Sequence, residues 1–78
     1  HVPVVEKNGD NIKVTVGSII HPMEEEHCIE WIAIVKDNAI SLKKLAPNME
    51  PIVELPYLKE STIYAYCNIH GLWKTNLD

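Results

Sequence analysis

Ile12-Lys13-Val14-Thr15-Val16 alternates apolar and polar residues, so Ile12, Val14 and Val16 can face a core while Lys13 and Thr15 face water. A period of two over such a run predicts a strand. Just upstream, Asn8-Gly9-Asp10-Asn11 carries turn chemistry, through a glycine free to take positive φ and Asn or Asp side chains that bond back to the main chain. Downstream, Cys28 to Val35 is more continuously apolar and rich in β-branched residues, as a strand covered on both faces should be. Ile40 to Leu45 and Ser61 to Cys67 read similarly, and Lys36-Asp37-Asn38 and Ala46-Pro47-Asn48 supply further turns. Six or seven short strands result, with no helical stripe, repeat or low-complexity segment. This pattern predicts an all-β chain folded as a small antiparallel β-sandwich.

The 78 residues are expected to form one domain, 1–78, whose core is only marginal for independent stability. A disulfide, a metal or self-association is the usual supplement, and Cys28 and Cys67 allow at most one internal bridge. The formal charge of -4, with seven Lys plus Arg, argues against nucleic acid or an anionic membrane as the main partner. No apolar run reaches the ~18 residues of a membrane span and no leader pattern is visible, so the expected compartment is cytoplasmic. Translation does not begin with histidine, so His1 implies a processed chain or a domain cut from something longer.

An immunoglobulin-type bridge between Cys28 and Cys67 would account for both cysteines, but it fits poorly. Trp31 lies too soon after Cys28 to pack on such a bridge, and Ala65 rather than tyrosine stands two residues before Cys67. Cys28 is explained more simply as a small buried hydrophobe.

Every histidine of the chain sits in a short motif beside Pro, Gly or Cys: His1-Val2-Pro3, His21-Pro22-Met23-Glu24-Glu25-Glu26-His27, and Cys67-Asn68-Ile69-His70-Gly71. Two ligands of one ion must bring their donor atoms ~3 Å apart. On a helix His21 and His27 would diverge by ~120° around the axis. In an extended strand they would lie ~20 Å apart. A loop that doubles back satisfies the requirement, and Pro22 disfavours a helical His21. The competing reading is an exposed acidic loop with a histidine at each end by chance. In Cys67-x2-His70 a tight turn can present thiolate and imidazole to one ion, with Gly71 supplying the positive φ such a turn needs. Its bland counterpart is a strand ending in a buried cysteine followed by a surface histidine. Trp31 and Trp73 are candidates to wall such a site against water. Lys74, close to the ligand turn, is a candidate to attract an anion, although a solvated surface lysine is the commoner case.

Four imidazoles and one thiolate exceed the four-coordinate count of structural zinc. They leave one octahedral position open, which suits iron that binds a small oxygen species. A copper site remains an alternative, because a small β-sandwich with Cys-x2-His and an upstream histidine also resembles a cupredoxin. Against that, Met23 and Met49 both lie upstream of Cys67, where an axial methionine is not expected.

His1-Val2-Pro3-Val4-Val5-Glu6, His21-Pro22-Met23 through Glu25-Glu26-His27, Ile29-Glu30-Trp31-Ile32 and Tyr66-Cys67-Asn68-Ile69-His70-Gly71-Leu72-Trp73 together resemble the iron domain of the superoxide reductase family, also called desulfoferrodoxin or neelaredoxin. The resemblance spans nearly the whole chain. It implies an immunoglobulin-like seven-stranded β-sandwich, assembled as a homodimer or homotetramer. It further implies a mononuclear iron with His1, His21, His27 and His70 as imidazole ligands and Cys67 as the axial, catalytically active thiolate. The implied reaction is one-electron reduction of superoxide to hydrogen peroxide, with the iron cycling between Fe2+ and Fe3+ and re-reduced by a rubredoxin-like donor. The alternative is a non-catalytic metal-binding or cupredoxin-like electron-transfer module. The family pattern has Glu-Lys just before the first ligand histidine, whereas this chain starts at that histidine.

Overall fold

A computed structural model describes residues 2–17 and 23–77. Among them, seven strands and no helix are found: β1 (Pro3–Asn8), β2 (Asn11–Val16), β3 (Ile29–Lys36), β4 (Ala39–Lys44), β5 (Ile52–Pro56), β6 (Thr62–Cys67) and β7 (Gly71–Asn76). They form two antiparallel sheets, ordered β1-β2-β5 and β4-β3-β6-β7. Hairpins join β1 to β2, β3 to β4 and β6 to β7, while the chain changes sheet between β2 and β3, β4 and β5, and β5 and β6. This is the immunoglobulin-like sandwich expected from the sequence, with the fourth strand paired to the third.

The alternation in β2 does what its period demands. Ile12, Val14 and Val16 are buried against Val53 and Leu55 of β5 and against Ile32, Ile34, Ile63 and Ala65 of the facing sheet. Burying one such aliphatic side chain contributes about 1.5–3 kcal/mol, so the two inner faces together are the main stabilising force. Cys67 closes the row of inward residues on β6 and belongs to the same core.

β3 departs from the expected double cover. Its inner face is sealed, and Ala33 on the outer face is 1% exposed, but Trp31 and Val35 are only half-buried. Trp31 stacks instead on Tyr66 of β6, ring centroids 5.8 Å apart. The outer face is therefore shielded by its own aromatic neighbours. A β-bulge lies between Ile29 and Trp31, where Ile29 pairs with Cys67 and Trp31 with Tyr66. The extra residue, Glu30, reverses the parity of the strand, so Ile29 turns into the core although Trp31 faces out.

Turn chemistry falls where the sequence predicts it. Gly9 takes φ +67° in the β1–β2 hairpin, and Asp37 and Asn48 also adopt positive φ. β1, β5 and β7 carry weaker sequence signals. β5 is flanked by Pro51 and ends on Pro56, which an edge strand tolerates because one side of its ladder needs no donor. The two sheets are tied at one margin by Thr75 of β7, whose hydroxyl donates to the Pro3 carbonyl of β1 at 2.7 Å.

Candidate metal centre

β6 delivers Cys67 to the end of the core, and the chain reverses over Asn68-Ile69-His70 before β7 begins at Gly71, which pairs with Cys67. A three-residue hairpin loop closes best when the residue re-entering the ladder is left-handed, and Gly71 has φ +80°. The reversal brings His70 Nδ1 to 3.8 Å from the Cys67 sulfur. Cys67 is fully buried, whereas His70 is exposed, so the turn presents a sulfur from the core side and an imidazole from the solvent side. The Trp73 indole donates to the His70 carbonyl at 3.2 Å and steadies the turn from β7.

The second approach comes from the acidic loop before β3. Glu24 and His27 exchange both main-chain hydrogen bonds, at 2.9 and 3.1 Å, so Glu25 and Glu26 form a two-residue turn. The described part of the loop therefore doubles back. It carries the His27 ring to His70, with His27 Nε2 at 3.2 Å from His70 Nδ1 and the rings edge to face at 76°. The donor atoms of His27, Cys67 and His70 all lie within 4.8 Å of one another.

Three donors so placed fit a borderline metal ion. Metal–nitrogen bonds of about 2.1 Å set neighbouring nitrogens ~3.0–3.4 Å apart, and the observed separation of the two imidazole nitrogens falls in that range. The donor set of one thiolate with imidazoles selects iron, zinc or copper over magnesium or calcium, which take oxygen ligands. His1 and His21, the other two expected ligands, lie outside the described residues.

Cys28 and Cys67 are both free thiols, so the inter-sheet bridge is not formed. Cys28 is 6% exposed. Burial first, then the charges of Glu30 and Cys67, pushes its thiol above the ordinary value of 9.0, so at neutral pH it stays protonated and ligates poorly. The methionines are engaged elsewhere: Met23 Sδ accepts from the Ile29 amide and Met49 Sδ from the Ala46 amide, each at 3.3 Å. Neither is disposed as the axial ligand of a copper site. Lys74 pairs with Tyr64 on the outer face of its sheet, opposite to the side on which Cys67 points, so it is not directed at the donors. Of the two tryptophans, Trp73 borders the ligand turn. Trp31 lines a separate cavity of about 420 Å³ with Cys28, Lys44 and Asn68.

Asn68 is the residue that sequence reading treated as a mere spacer. Its side chain accepts from the Cys28 amide at 3.0 Å and donates to the Glu26 carbonyl at 3.1 Å, and its own amide donates to the Cys28 carbonyl at 3.2 Å. An asparagine directly after a candidate ligand was the available signal, since an amide side chain can offer both a donor and an acceptor to a second segment.

Known proteins place this arrangement. The desulfoferrodoxin family model matches residues 1–76. The desulfoferrodoxin of Clostridium acetobutylicum is 48% identical over 77 residues, covering 99% of this chain and 62% of the relative. The superoxide reductase of Pyrococcus abyssi is 34% identical over 97 aligned positions, covering 99% of this chain and 84% of the relative. Among solved structures, the superoxide reductase of Treponema pallidum superposes with a TM-score of 0.84 at 38% identity, over 96% of this chain and 63% of that one. The superoxide reductase of Giardia intestinalis reaches 0.85 at 24% identity over 100% and 96%, a likeness of fold. The chain spans about three fifths of the length of the first curated relatives, 62%, 61% and 60%. With the sandwich, the thiol–imidazole turn and a family match running through both, the chain belongs to the desulfoferrodoxin family.

Proposed function

We propose that residues 1–78 form one iron-binding domain that acts as a superoxide reductase, taking superoxide to hydrogen peroxide at a mononuclear His4Cys centre. The observation that carries this reading is the meeting of His27 Nε2, His70 Nδ1 and Cys67 Sγ from segments separated by forty residues or more. His1 and His21 would complete the ligand set. When bound, ferrous iron supplies the single electron and a local positive charge.

The chain's own residues define the rest. Cys67 would ligate as thiolate, its charge held in the core and opposed by the metal rather than by water. Such a thiolate donates electron density, the same lever that haem-thiolate enzymes use. The neutral imidazoles of His27 and His70 leave the centre with a charge of about +1 once the thiolate is counted. His70 is exposed, which supports a solvent-facing side through which a small anion can enter. Each superoxide needs one electron and two protons to become hydrogen peroxide, and solvent on the exposed His70 side would supply the protons. The carboxylates of Glu24, Glu25 and Glu26 are exposed near His27. At physiological ionic strength charges beyond ~8 Å are largely screened, so the local field governs the last approach.

The electron donor in this reading is an external rubredoxin-like protein, and the compartment is the cytoplasm. The assembly is a homodimer or homotetramer. The outer face of β4-β3-β6-β7 supports self-association, since Ile40, Leu42 and Leu72 are 65%, 45% and 55% exposed there beside half-buried Trp31, Tyr64 and Tyr66. Lys44 and Lys74 sit on the two outer strands of that face, giving it an apolar centre with charges at the rim.

The test combines metal analysis with an anaerobic pulse of superoxide on the reduced protein. One iron per chain, rapid loss of the ferrous state and one peroxide per iron oxidised are expected. One equivalent of copper, with no such reaction, would replace this reading by that of an electron-transfer module.

A further inference from the structure

We infer that Asn68 is a positioning residue that holds the His27 loop against the Cys67–His70 turn and thereby fixes how many ligands the metal meets. The inference rests on the metal-centre reading above and concerns only how that centre is assembled.

Three hydrogen bonds of Asn68 bracket His27. One goes to the residue before it, Glu26, and two go to the residue after it, Cys28. His27 itself spends its own amide and carbonyl on Glu24. The backbone that carries the imidazole is thus held on both sides by one residue. That residue follows Cys67 directly and precedes His70 by two. Contacts across a sequence separation of 40 to 42 residues cannot be replaced by any local interaction within the loop. The two rings also meet across the same gap, His27 Nε2 to His70 Nδ1 at 3.2 Å, a contact that a metal ion would replace by taking both nitrogens as ligands.

The chemistry of the side chain matters as much as its place. The Cys28 amide needs an acceptor and the Glu26 carbonyl needs a donor, and a carboxamide offers both from one planar group. Aspartate would set a carboxylate against the Glu26 carbonyl and add a charge near the Cys67 sulfur, which lies 4.0 Å from Asn68 Oδ1. Serine is too short to reach both partners, and leucine offers neither. Partners that orient first ligands in this way are commonly worth 10–100-fold in metal affinity.

A double-mutant cycle on Co2+ binding tests the assignment, because cobalt reports thiolate ligation through its charge-transfer absorption. Affinity is measured by chelator competition for the native chain, Asn68→Ala, His27→Ala and the double variant. Asn68→Ala is expected to weaken Co2+ binding about tenfold or more in the native background and by less than about threefold when His27 is already absent. The charge-transfer band persists in all four, since Cys67 is untouched. In Asn68→Ala the Cys28 amide should lose hydrogen-exchange protection while the amides of Ile32 and Ile63 keep theirs. Asn68→Ser is run in parallel, with the same outcomes expected, against the case that the alanine variant fails to fold. Equal losses in both backgrounds would overturn the assignment, as would native-like affinity in Asn68→Ala or Asn68→Ser. A native chain that binds neither Co2+ nor Fe2+ would overturn the metal-centre reading, and the assignment with it.

Discussion

Replacing Thr75 by valine keeps the shape of the side chain and removes one hydroxyl, which isolates the hydrogen bond that ties β7 to β1. The bond runs from Thr75 Oγ1 to the Pro3 carbonyl at 2.7 Å, between strands of different sheets and 72 residues apart in sequence. A neutral bond of this kind contributes about 0.5–1.5 kcal/mol net, and leaving a buried carbonyl without a partner costs about 1–3 kcal/mol. Pro3 is buried and Thr75 half-buried, so the loss belongs at about 1.5 kcal/mol, below the fully desolvated limit. For a domain of this size each kilocalorie moves the melting temperature by about 4–8 °C, so Thr75→Val should melt ~6–12 °C lower. Urea denaturation of the chelated protein is the direct assay, with the midpoint falling and the slope unchanged. Thr75→Ser retains the hydroxyl and should recover most of the difference. A Thr75→Val change under ~0.5 kcal/mol, the range of an ordinary surface substitution, would refute the view that this bond closes the sandwich margin.

Three further outcomes are expected. Gly71→Ala meets no atom within 4 Å of the new Cβ, but φ +80° is strained for alanine, so a loss of about 1 kcal/mol together with weaker metal binding should be read by denaturation and chelator competition. Leu42→Glu places a charge on the β4 side of the exposed apolar face, and sedimentation velocity should then show monomer where the proposed assembly predicts dimer or larger for the native chain; an unchanged assembly would remove that face from consideration. Because the folded Cys28 thiol titrates above its ordinary value, the stability it contributes is present below that value and lost as pH rises toward the raised one. Denaturation midpoints should therefore fall as pH rises above the ordinary thiol value of 9.0 in the native chain and fall less in Cys28→Ala.

The legible parts of the fold were those in which local pattern and tertiary role coincide. β2, β3, β4 and β6 lie within a residue or so of the runs read as strands: alternation or β-branched content is what a buried strand requires in β2, β3 and β6, and β4, an exposed edge strand, still carries Ile40 and Leu42 on alternate positions. β1, β5 and β7 were hidden for a common reason. Each is an edge strand, half its surface meets water, and Pro3, Pro56 or the polar run Lys74-Thr75-Asn76 dilutes the pattern. The bulge at Glu30 was invisible because parity along a strand depends on its partner, here Cys67 and Tyr66. The outward Trp31 followed from the same cause.

At the centre, residue type and spacing alone determined the chemistry on offer: a thiol and an imidazole with two residues between them, further histidines in a proline-bounded acidic loop, and a glycine able to close the turn. Distance was another matter. That His27 meets His70, that Lys74 faces away, and that Asn68 clasps the residues on either side of His27 are consequences of register between β3 and β6 and of how two loops dock. Such contacts join residues some forty positions apart, and no local propensity encodes them; only the antiparallel pairing of β3 with β6 within one sheet brings those segments to the same end of the molecule.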